Sequence, residues 1–144
     1  MILVGGATGL VGSAVCQELA RRGEKVRALV RASSAQEKLE ALRSGGAELC
    51  VGDLKDPGSL SSACRGVEAV VSTASSTFSR QVGDSIESVD AAGQLNLVNA
   101  AKAANITRFI FVTFRWLSPA LGFDYPNRTA RIYGPGTKPI SSVS

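Results

Sequence analysis

The sequence contains no histidine, and its three cysteines, Cys16, Cys50 and Cys64, are far apart. Because zinc sites are built from histidines and closely spaced cysteines, we expect no metal site. An odd number of cysteines, spread over predicted helices and a predicted strand, argues against a disulfide framework. It is typical of a protein in a reducing cytosol.

Long apolar runs and dense clusters of charge are also lacking. No apolar stretch approaches the ~20 residues that a helix needs to cross a bilayer. The N-terminus, MILVGG, has no basic segment ahead of an apolar one, as a signal peptide would have. The formal charge is +4, with lysines and arginines scattered along 144 residues. We therefore expect a cytoplasmic protein with neither a membrane nor a nucleic acid among its partners.

What the sequence does contain is a regular alternation over residues 1–113. Short β-branched runs predict strands, and the longer segments between them predict helices. The strands are unbroken apolar runs, as expected where helices cover both faces of a sheet. The pattern predicts an α/β fold, a Rossmann-type doubly wound parallel sheet of about five strands with helices on both faces. The predicted strands are 1–4, 25–30, 47–51, 69–71 and 108–113, and the predicted helices are 10–22, 35–44, 58–64 and 85–104.

Residues at the predicted helix ends have the chemistry that such positions favour. Gly23 follows the first helix, where a left-handed residue often ends a helix. Asp56 precedes Pro57, which matches an N-cap followed by proline at the first helical position. Either Asp84 or Ser85 can cap the fourth helix. Along that helix, the residues that recur at helical spacing are Ile86, Val89, Gly93, Leu97 and Ala100.

Glycines at positions 6, 9 and 12 form the pattern G-x-x-G-x-x-G between the first predicted strand and the first predicted helix. A pyrophosphate at this place meets free N–H groups and the positive end of the helix dipole. Gly6 lets the chain turn sharply, Gly9 lets backbone approach phosphate, and Gly12 lets the helix pack closely on the strand. The placement favours a dinucleotide-binding turn over a glycine-rich turn without a ligand.

The end of the second predicted strand indicates which dinucleotide binds. NAD sites usually carry an acidic residue here, whereas this sequence has Arg31 followed by Ala32, Ser33 and Ser34. The planar guanidinium of Arg31 can face a 2′-phosphate. The alternative is a solvated cation at a strand end. On this chemistry, NADP(H) is favoured over NAD(H).

Two further strand ends point to the same crevice. Asp53 follows the third strand and is either a contact for the adenine end or a turn-forming residue. Residues 72–77 follow the fourth strand with small and hydroxylated side chains, which suit a ribose and a nicotinamide but are also common in loops. The predicted cofactor-binding residues are Gly6, Ala7, Thr8, Gly9, Leu10, Val11, Gly12, Arg31, Asp53, Leu54, Thr73, Ala74 and Ser75.

These motifs together resemble a known family. The segments VGGATGLVG at 4–12, VRALVR at 26–31 and GDL at 52–54 are similar to those of the atypical short-chain dehydrogenase/reductases of the NmrA-like group. So are DAAGQLNLVNAA at 90–101 and RFIFVT at 108–113. The resemblance implies an NAD(P)-binding Rossmann domain over residues 1–113 and a preference for NADP(H). It also implies either reduction of a small organic substrate or non-catalytic sensing of the cofactor.

The chain departs from the catalytic pattern of short-chain dehydrogenases, in which a lysine follows a tyrosine by four residues and lowers the pKa of its phenol. Tyr125 has no lysine at that spacing, and Tyr133 is separated from Lys138 by a Gly-Pro-Gly segment that forbids a helix. Thr113 matches the strand end where a catalytic serine often lies, but it is more simply a β-branched strand residue. No catalytic residue is predicted.

The C-terminal part differs from what the resemblance implies. Residues 111–114, FVTF, run directly into RWLS, where a further helix and strand are expected. We therefore expect an internal deletion and a C-terminal truncation, with residues 114–144 as a remnant of the substrate-side region and an irregular tail.

The sequence is compatible with more than one function. The first is an NADP(H)-binding protein of reductase ancestry, and the alternative is a non-catalytic NADP(H) redox sensor. The expected partners are the dinucleotide and either a small-molecule substrate or a protein, a second copy of this chain included. A domain that binds S-adenosylmethionine is less favoured, because it would need an acidic residue where Arg31 stands.

Overall fold

A computed structural model describes residues 1–77, 79 and 82–112. The alternation of strands and helices follows the prediction closely. The strands are β1 (Ile2–Gly5), β2 (Val26–Val30), β3 (Glu48–Val51), β4 (Ala69–Ser72) and β5 (Arg108–Phe111). The helices are α1 (Leu10–Arg21), α2 (Gln36–Ser44), α3 (Pro57–Ala63) and a π-helical segment (Ile86–Gly93) that continues as α4 (Gln94–Ala103).

The strands form one parallel sheet of five strands in the order β3-β2-β1-β4-β5. At its centre, Val4 of β1 pairs with Ala28 on one side and Val71 on the other. The chain therefore builds outward from β1 in both directions, which confirms the doubly wound sheet. In such sheets ligands bind at the carboxyl ends of the strands where the order reverses, and here that place lies beside β1 and β4.

Helices cover both faces of the sheet, as the unbroken apolar strands predict. Leu3 packs with Leu60 of α3 and Leu97 of α4 in one buried cluster, whereas its neighbour Val4 packs with Cys16 of α1 in the other. Leu3, Leu60 and Leu97 have no exposed surface. Burial of each such side chain contributes about 2 kcal/mol before entropy is counted, so the core fixes the strand ends that carry the site.

The predicted helix ends are confirmed at three places. Gly23 follows α1 with φ of +79°, in the left-handed region. The Asp56 carboxylate accepts a hydrogen bond of 3.0 Å from the Gly58 N–H at the start of α3, with Pro57 as the first helical residue. At the fourth helix, Ser85 rather than Asp84 is the cap, and it forms a reciprocal capping box with Ser88.

The fourth helix differs from the prediction in its first half, which is π-helical. Because a π-helix bonds residue i to i+5, its wider turn changes which residues share a face. Ile86 is 69% exposed, so it does not lie on the buried face of this helix. Val89, Gly93 and Leu97 are buried as their spacing predicts. At Gly93 the helix passes so close to Leu54 that an added Cβ would lie 2.9 Å from the Leu54 Cβ.

Thr113 and the predicted remnant at 114–144 lie outside the described residues, so the division at residue 113 stays a prediction. Within the described part of the chain, no helix is both long enough and apolar enough to cross a membrane. The same residues contain no cluster of side chains suited to holding a metal ion.

Candidate functional site

The glycine turn between β1 and α1 is folded around one carbonyl oxygen. The Gly9 N–H donates a hydrogen bond of 2.9 Å to the Gly6 oxygen, and Gly6 has φ of +75°, which favours glycine. A Cβ on Gly12 would lie 2.1 Å from that same oxygen. The glycines at positions 6 and 12 are therefore required by the turn itself, whereas an added Cβ on Gly9 would lie 3.2 Å from the Gly6 oxygen. No side chain caps the N-terminus of α1, which leaves its first N–H groups facing outward.

The turn is tied to the end of β4. The Thr73 N–H and its Oγ1 both donate to the Gly5 oxygen, at 2.9 and 3.0 Å. An added Cβ on Gly6 would lie 2.7 Å from the Ala74 nitrogen. The carboxyl ends of β1 and β4 are therefore held against each other, so the residues after each strand border one crevice.

This crevice is a cavity of about 610 Å³. All the predicted cofactor residues line it except Ala7, whose side chain is fully buried in the cluster under α1 and α2. A cofactor role for any of them stays a prediction. The predicted residues that line the cavity are Gly6, Thr8, Gly9, Leu10, Val11, Gly12, Arg31, Asp53, Leu54, Thr73, Ala74 and Ser75.

Arg31, at the end of β2, has a partner that the sequence did not reveal. Its Nη1 lies 2.6 Å from Oδ2 of Asp84, whose side chain is only 2% exposed. Lys55 Nζ lies 2.7 Å from the other carboxylate oxygen, and the Ser79 hydroxyl donates to Oδ2. Arg31 is therefore not the solvated cation of the alternative interpretation. It is part of a cluster with Lys55, Ser79 and Asp84.

The protonation of Asp84 follows from these contacts. Burial opposes the charged form, but hydrogen bonds from Lys55, Ser79 and Arg31 outweigh it and hold the pKa of the carboxyl well below its ordinary value. Asp84 is therefore an anion at neutral pH. It lies in the wall of the cavity that also carries Arg31.

The role of Asp53 is resolved in part. Its Oδ1 accepts a hydrogen bond of 2.8 Å from the Lys55 N–H, and its own N–H donates to Ser59 Oγ at 3.1 Å. The carboxylate thus forms the turn after β3, as one of the two interpretations predicts. Asp53 also lines the cavity, so the adenine contact stays a prediction.

Two polar contacts hold the loop after β4 against the fourth helix. Ser72 Oγ donates to Gln94 Oε1 at 2.8 Å, and Gln94 Nε2 donates to the Ala74 oxygen at 2.8 Å. Further along, the Ser76 N–H donates to Asp90 Oδ2 at 2.8 Å. Burial opposes ionisation of Asp90, but hydrogen bonds led by the Ser76 hydroxyl lower its pKa. These bonds fix residues 73–76 along one side of the cavity.

Lys38, like Asp84, lines the cavity but was not among the predicted site residues. It lies in α2, lines the cavity, and its Nζ donates to the Thr8 oxygen at 3.1 Å. Helical spacing assigns a lysine in α2 to solvent, so only the packing of α2 beside the glycine turn reveals it. The cavity lining therefore carries two cations, Arg31 and Lys38, beside the carboxylates of Asp53 and Asp84.

A parallel sheet that reverses at β1, with a glycine turn at the reversal, defines a Rossmann-type α/β protein. Residues 1–130 match the model of the NmrA-like family. The chain belongs to that family, among the atypical short-chain dehydrogenase/reductases.

Individual relatives agree with this assignment. The photosystem II assembly factor Ycf39 of Trieres chinensis is 36% identical over 110 residues, which are 76% of this chain and 33% of that protein. The NADPH-dependent quinone oxidoreductase QOR2 of Escherichia coli, solved with NADPH, is 30% identical with a TM-score of 0.58. The match covers 77% of this chain and 36% of that one.

A second solved neighbour carries the other dinucleotide. A short-chain dehydrogenase/reductase superfamily protein of Agrobacterium tumefaciens with bound NAD is 36% identical, with a TM-score of 0.60. The match covers 77% of this chain and 31% of that one. The chain spans about a third of the length of the curated relatives that it matches first.

Proposed function

We propose that this chain binds a nicotinamide dinucleotide in the cavity beside the glycine turn, with NADP(H) preferred over NAD(H). The observation that carries the proposal is the fit between the Gly6–Gly12 turn and a phosphate. An uncapped helix N-terminus opens onto a cavity of about 610 Å³, within the usual size range of ligand sites.

The residues around the cavity suit successive parts of the ligand. The pyrophosphate would lie on the N–H groups that begin α1, where Gly9 and Gly12 leave no side chain in the way. The adenosine end would lie toward Asp53 and Leu54, and the nicotinamide end toward Thr73 and the residues after it. Leu10, an apolar side chain that is 90% exposed at the edge of the cavity, would be covered by the ligand.

The preference for NADP(H) rests on Arg31. A guanidinium at the end of β2 matches the place where dinucleotide folds receive the 2′-substituent of the adenosine ribose. No acidic side chain from β2 competes there for ribose hydroxyls. Solved relatives hold either NADPH or NAD, so the family alone does not decide between them.

The whole protein's activity is proposed as reduction of a small organic substrate, to which a bound NADPH would supply hydride. A quinone oxidoreductase among the relatives favours this proposal. The second candidate is a non-catalytic NADP(H) sensor that acts on a protein partner. It is favoured by the relatives that are assembly factors. A cytoplasmic location stays a prediction, since some relatives are chloroplastic.

Charge reversal at Arg31 tests the proposed preference. The Arg31→Asp variant should weaken NADPH binding about tenfold or more and leave or improve NADH binding, because a charged hydrogen bond to phosphate contributes about 1.5–3 kcal/mol. Arg43→Asp is the control: Arg43 is an exposed arginine in α2 whose partner is Glu40, and it does not line the cavity. Binding is followed by nicotinamide fluorescence. An unchanged NADPH to NADH ratio in Arg31→Asp would contradict the preference.

Turnover separates the two candidate functions. Purified chain is incubated with NADPH and a panel of quinones and carbonyl compounds, and absorbance of the reduced nicotinamide is followed. Oxidation that depends on the added substrate supports the reductase. Tight binding of NADPH without oxidation by any member of the panel supports the sensor.

A further inference from the structure

Asp84 is negatively charged, as a phosphate is, and it is paired with Arg31, the residue proposed to bind the 2′-phosphate. Its Oδ2 is 2.6 Å from Arg31 Nη1, and both residues line the cavity beside the glycine turn. A 2′-phosphate that approaches Arg31 therefore meets a guanidinium already paired with a carboxylate. Phosphate and carboxylate repel each other, so they compete for this group.

Lys55 gives the carboxylate a second partner. Its Nζ lies 2.7 Å from Oδ1 of Asp84, the oxygen that Arg31 does not use. Lys55 is on the loop after β3, and it does not line the cavity. Arg31, which lines the cavity, thus contacts one oxygen of Asp84, and Lys55, which does not line it, contacts the other.

This arrangement allows an exchange of partners. An ionised carboxylate with 2% of its surface exposed is strongly disfavoured without a cation. When Arg31 turns to a phosphate, Lys55 and the Ser79 hydroxyl can still hold Asp84. Without Lys55, Arg31 would be the only cation on Asp84 among the described residues, and its release would leave a buried charge unpaired.

We propose, on the basis of the dinucleotide binding proposed above, that Asp84 is a specificity-determining residue that competes with the 2′-phosphate for Arg31, with Lys55 as the cation that lets Asp84 release it. While Arg31 is paired with Asp84 it cannot bind the 2′-phosphate. The apparent affinity for NADPH is therefore reduced in proportion to the fraction of molecules in which Arg31 is available. NADH has no 2′-phosphate, so its affinity does not depend on this exchange.

The two substitutions that test the exchange have opposite expected effects. Asp84→Asn keeps the size of the side chain and an oxygen for Lys55 and Ser79 but removes the charge. It should tighten NADPH binding about 5–10-fold and change NADH binding less than about twofold. Lys55→Gln should weaken NADPH binding by a similar factor, again with little effect on NADH. Because Asp84→Asn can reduce stability, thermal unfolding without ligand is measured for each variant, and Lys55→Gln carries the test if Asp84→Asn does not fold.

Asp56→Asn is the matched control. Asp56 is on the same loop as Lys55, and Asp56→Asn removes one negative charge, as Asp84→Asn does. The cap of α3 should be kept, because asparagine caps a helix as well as aspartate does. Both Kd values should stay within about twofold of the unchanged chain, since Asp56 does not line the cavity.

The outcomes separate this inference from the proposed function. If the unchanged chain binds neither NADPH nor NADH, the proposed function fails and the inference fails with it. If it binds them but Asp84→Asn leaves the NADPH Kd unchanged or raises it, only the competition is overturned. If Lys55→Gln binds NADPH as tightly as the unchanged chain, the exchange through Lys55 is overturned.

Discussion

The carbonyl oxygen of Gly6 lies 2.1 Å from the position that a Cβ on Gly12 would occupy. The same oxygen accepts the Gly9 N–H at 2.9 Å. One backbone atom thus contacts both later glycines of the motif and brings the first turn of α1 against the end of β1. The close approach of α1 to the end of β1 therefore accounts for the spacing of these glycines without reference to a ligand.

Gly12→Ala should destabilise the chain, although alanine normally favours a helix. An ordinary glycine-to-alanine change within a helix gains up to about 1 kcal/mol. Here the added methyl group would meet backbone rather than a movable side chain, so we expect a loss of about 1–3 kcal/mol. The measurement is urea unfolding followed by circular dichroism.

Gly58→Ala is the control for this change. Gly58 lies in the first turn of α3, and the nearest atom to an added Cβ is the end of the Asp56 side chain at 3.3 Å, which can move. The variant should be neutral or slightly stabilised. Equal stability of the Gly12→Ala and Gly58→Ala variants would contradict the close approach at Gly6.

Ser72→Ala should cost about 1–3 kcal/mol, because it removes the donor to a buried amide oxygen of Gln94. Ser61→Ala is the comparison, since Ser61 is exposed on α3 and its hydroxyl donates to the Pro57 oxygen of the same helix. It should stay within about 0.5 kcal/mol of the unchanged chain. Chemical denaturation of the two variants measures the difference, and a Ser72→Ala chain as stable as Ser61→Ala would show that the buried bond is unimportant.

The stability of the chain should fall at acidic pH partly through Asp84. Its folded pKa lies below its ordinary value of 3.8, so the group contributes stability above that value and loses it as pH falls through the folded pKa. Asp84→Asn lacks this contribution and should lose less stability than the unchanged chain between pH 5 and 2. Urea unfolding at several pH values gives both curves, and parallel curves would argue against ionisation of Asp84 in the fold.

Cys16 should react slowly with alkylating agents. Burial raises the pKa of its thiol to about 11, so at pH 8 about 0.1% is thiolate. Cys50 is only half-buried and should be modified first by iodoacetamide, as followed by peptide mass spectrometry. Unfolding in guanidinium should remove the difference. Equal modification rates of Cys16 and Cys50 in the folded chain would show that the packing of α1 on the sheet does not shield Cys16.

Local patterns predicted much of this fold because they reflect local causes. The apolar strands, the cap at Asp56 and the left-handed Gly23 each depend on neighbours in sequence, and all are confirmed. The glycine turn was placed correctly for the same reason. The doubly wound sheet was predicted from the right-handed crossovers of parallel strands, whereas the order of its strands was not predicted.

The contacts that the sequence did not reveal are between distant segments. Arg31 and Asp84 are 53 residues apart, and Asp84 was considered only as a helix cap because serine and aspartate are interchangeable there by local chemistry. The π-helical segment over residues 86–93 was also missed, since the apolar residues there recur at a spacing that suits an α-helix.

The most direct test of the central claim is isothermal titration of the 144-residue chain with NADPH and, separately, with NADH. We expect that one NADPH binds per chain and that NADH binds more weakly. Absence of binding by both dinucleotides would contradict the assignment of the cavity beside the glycine turn.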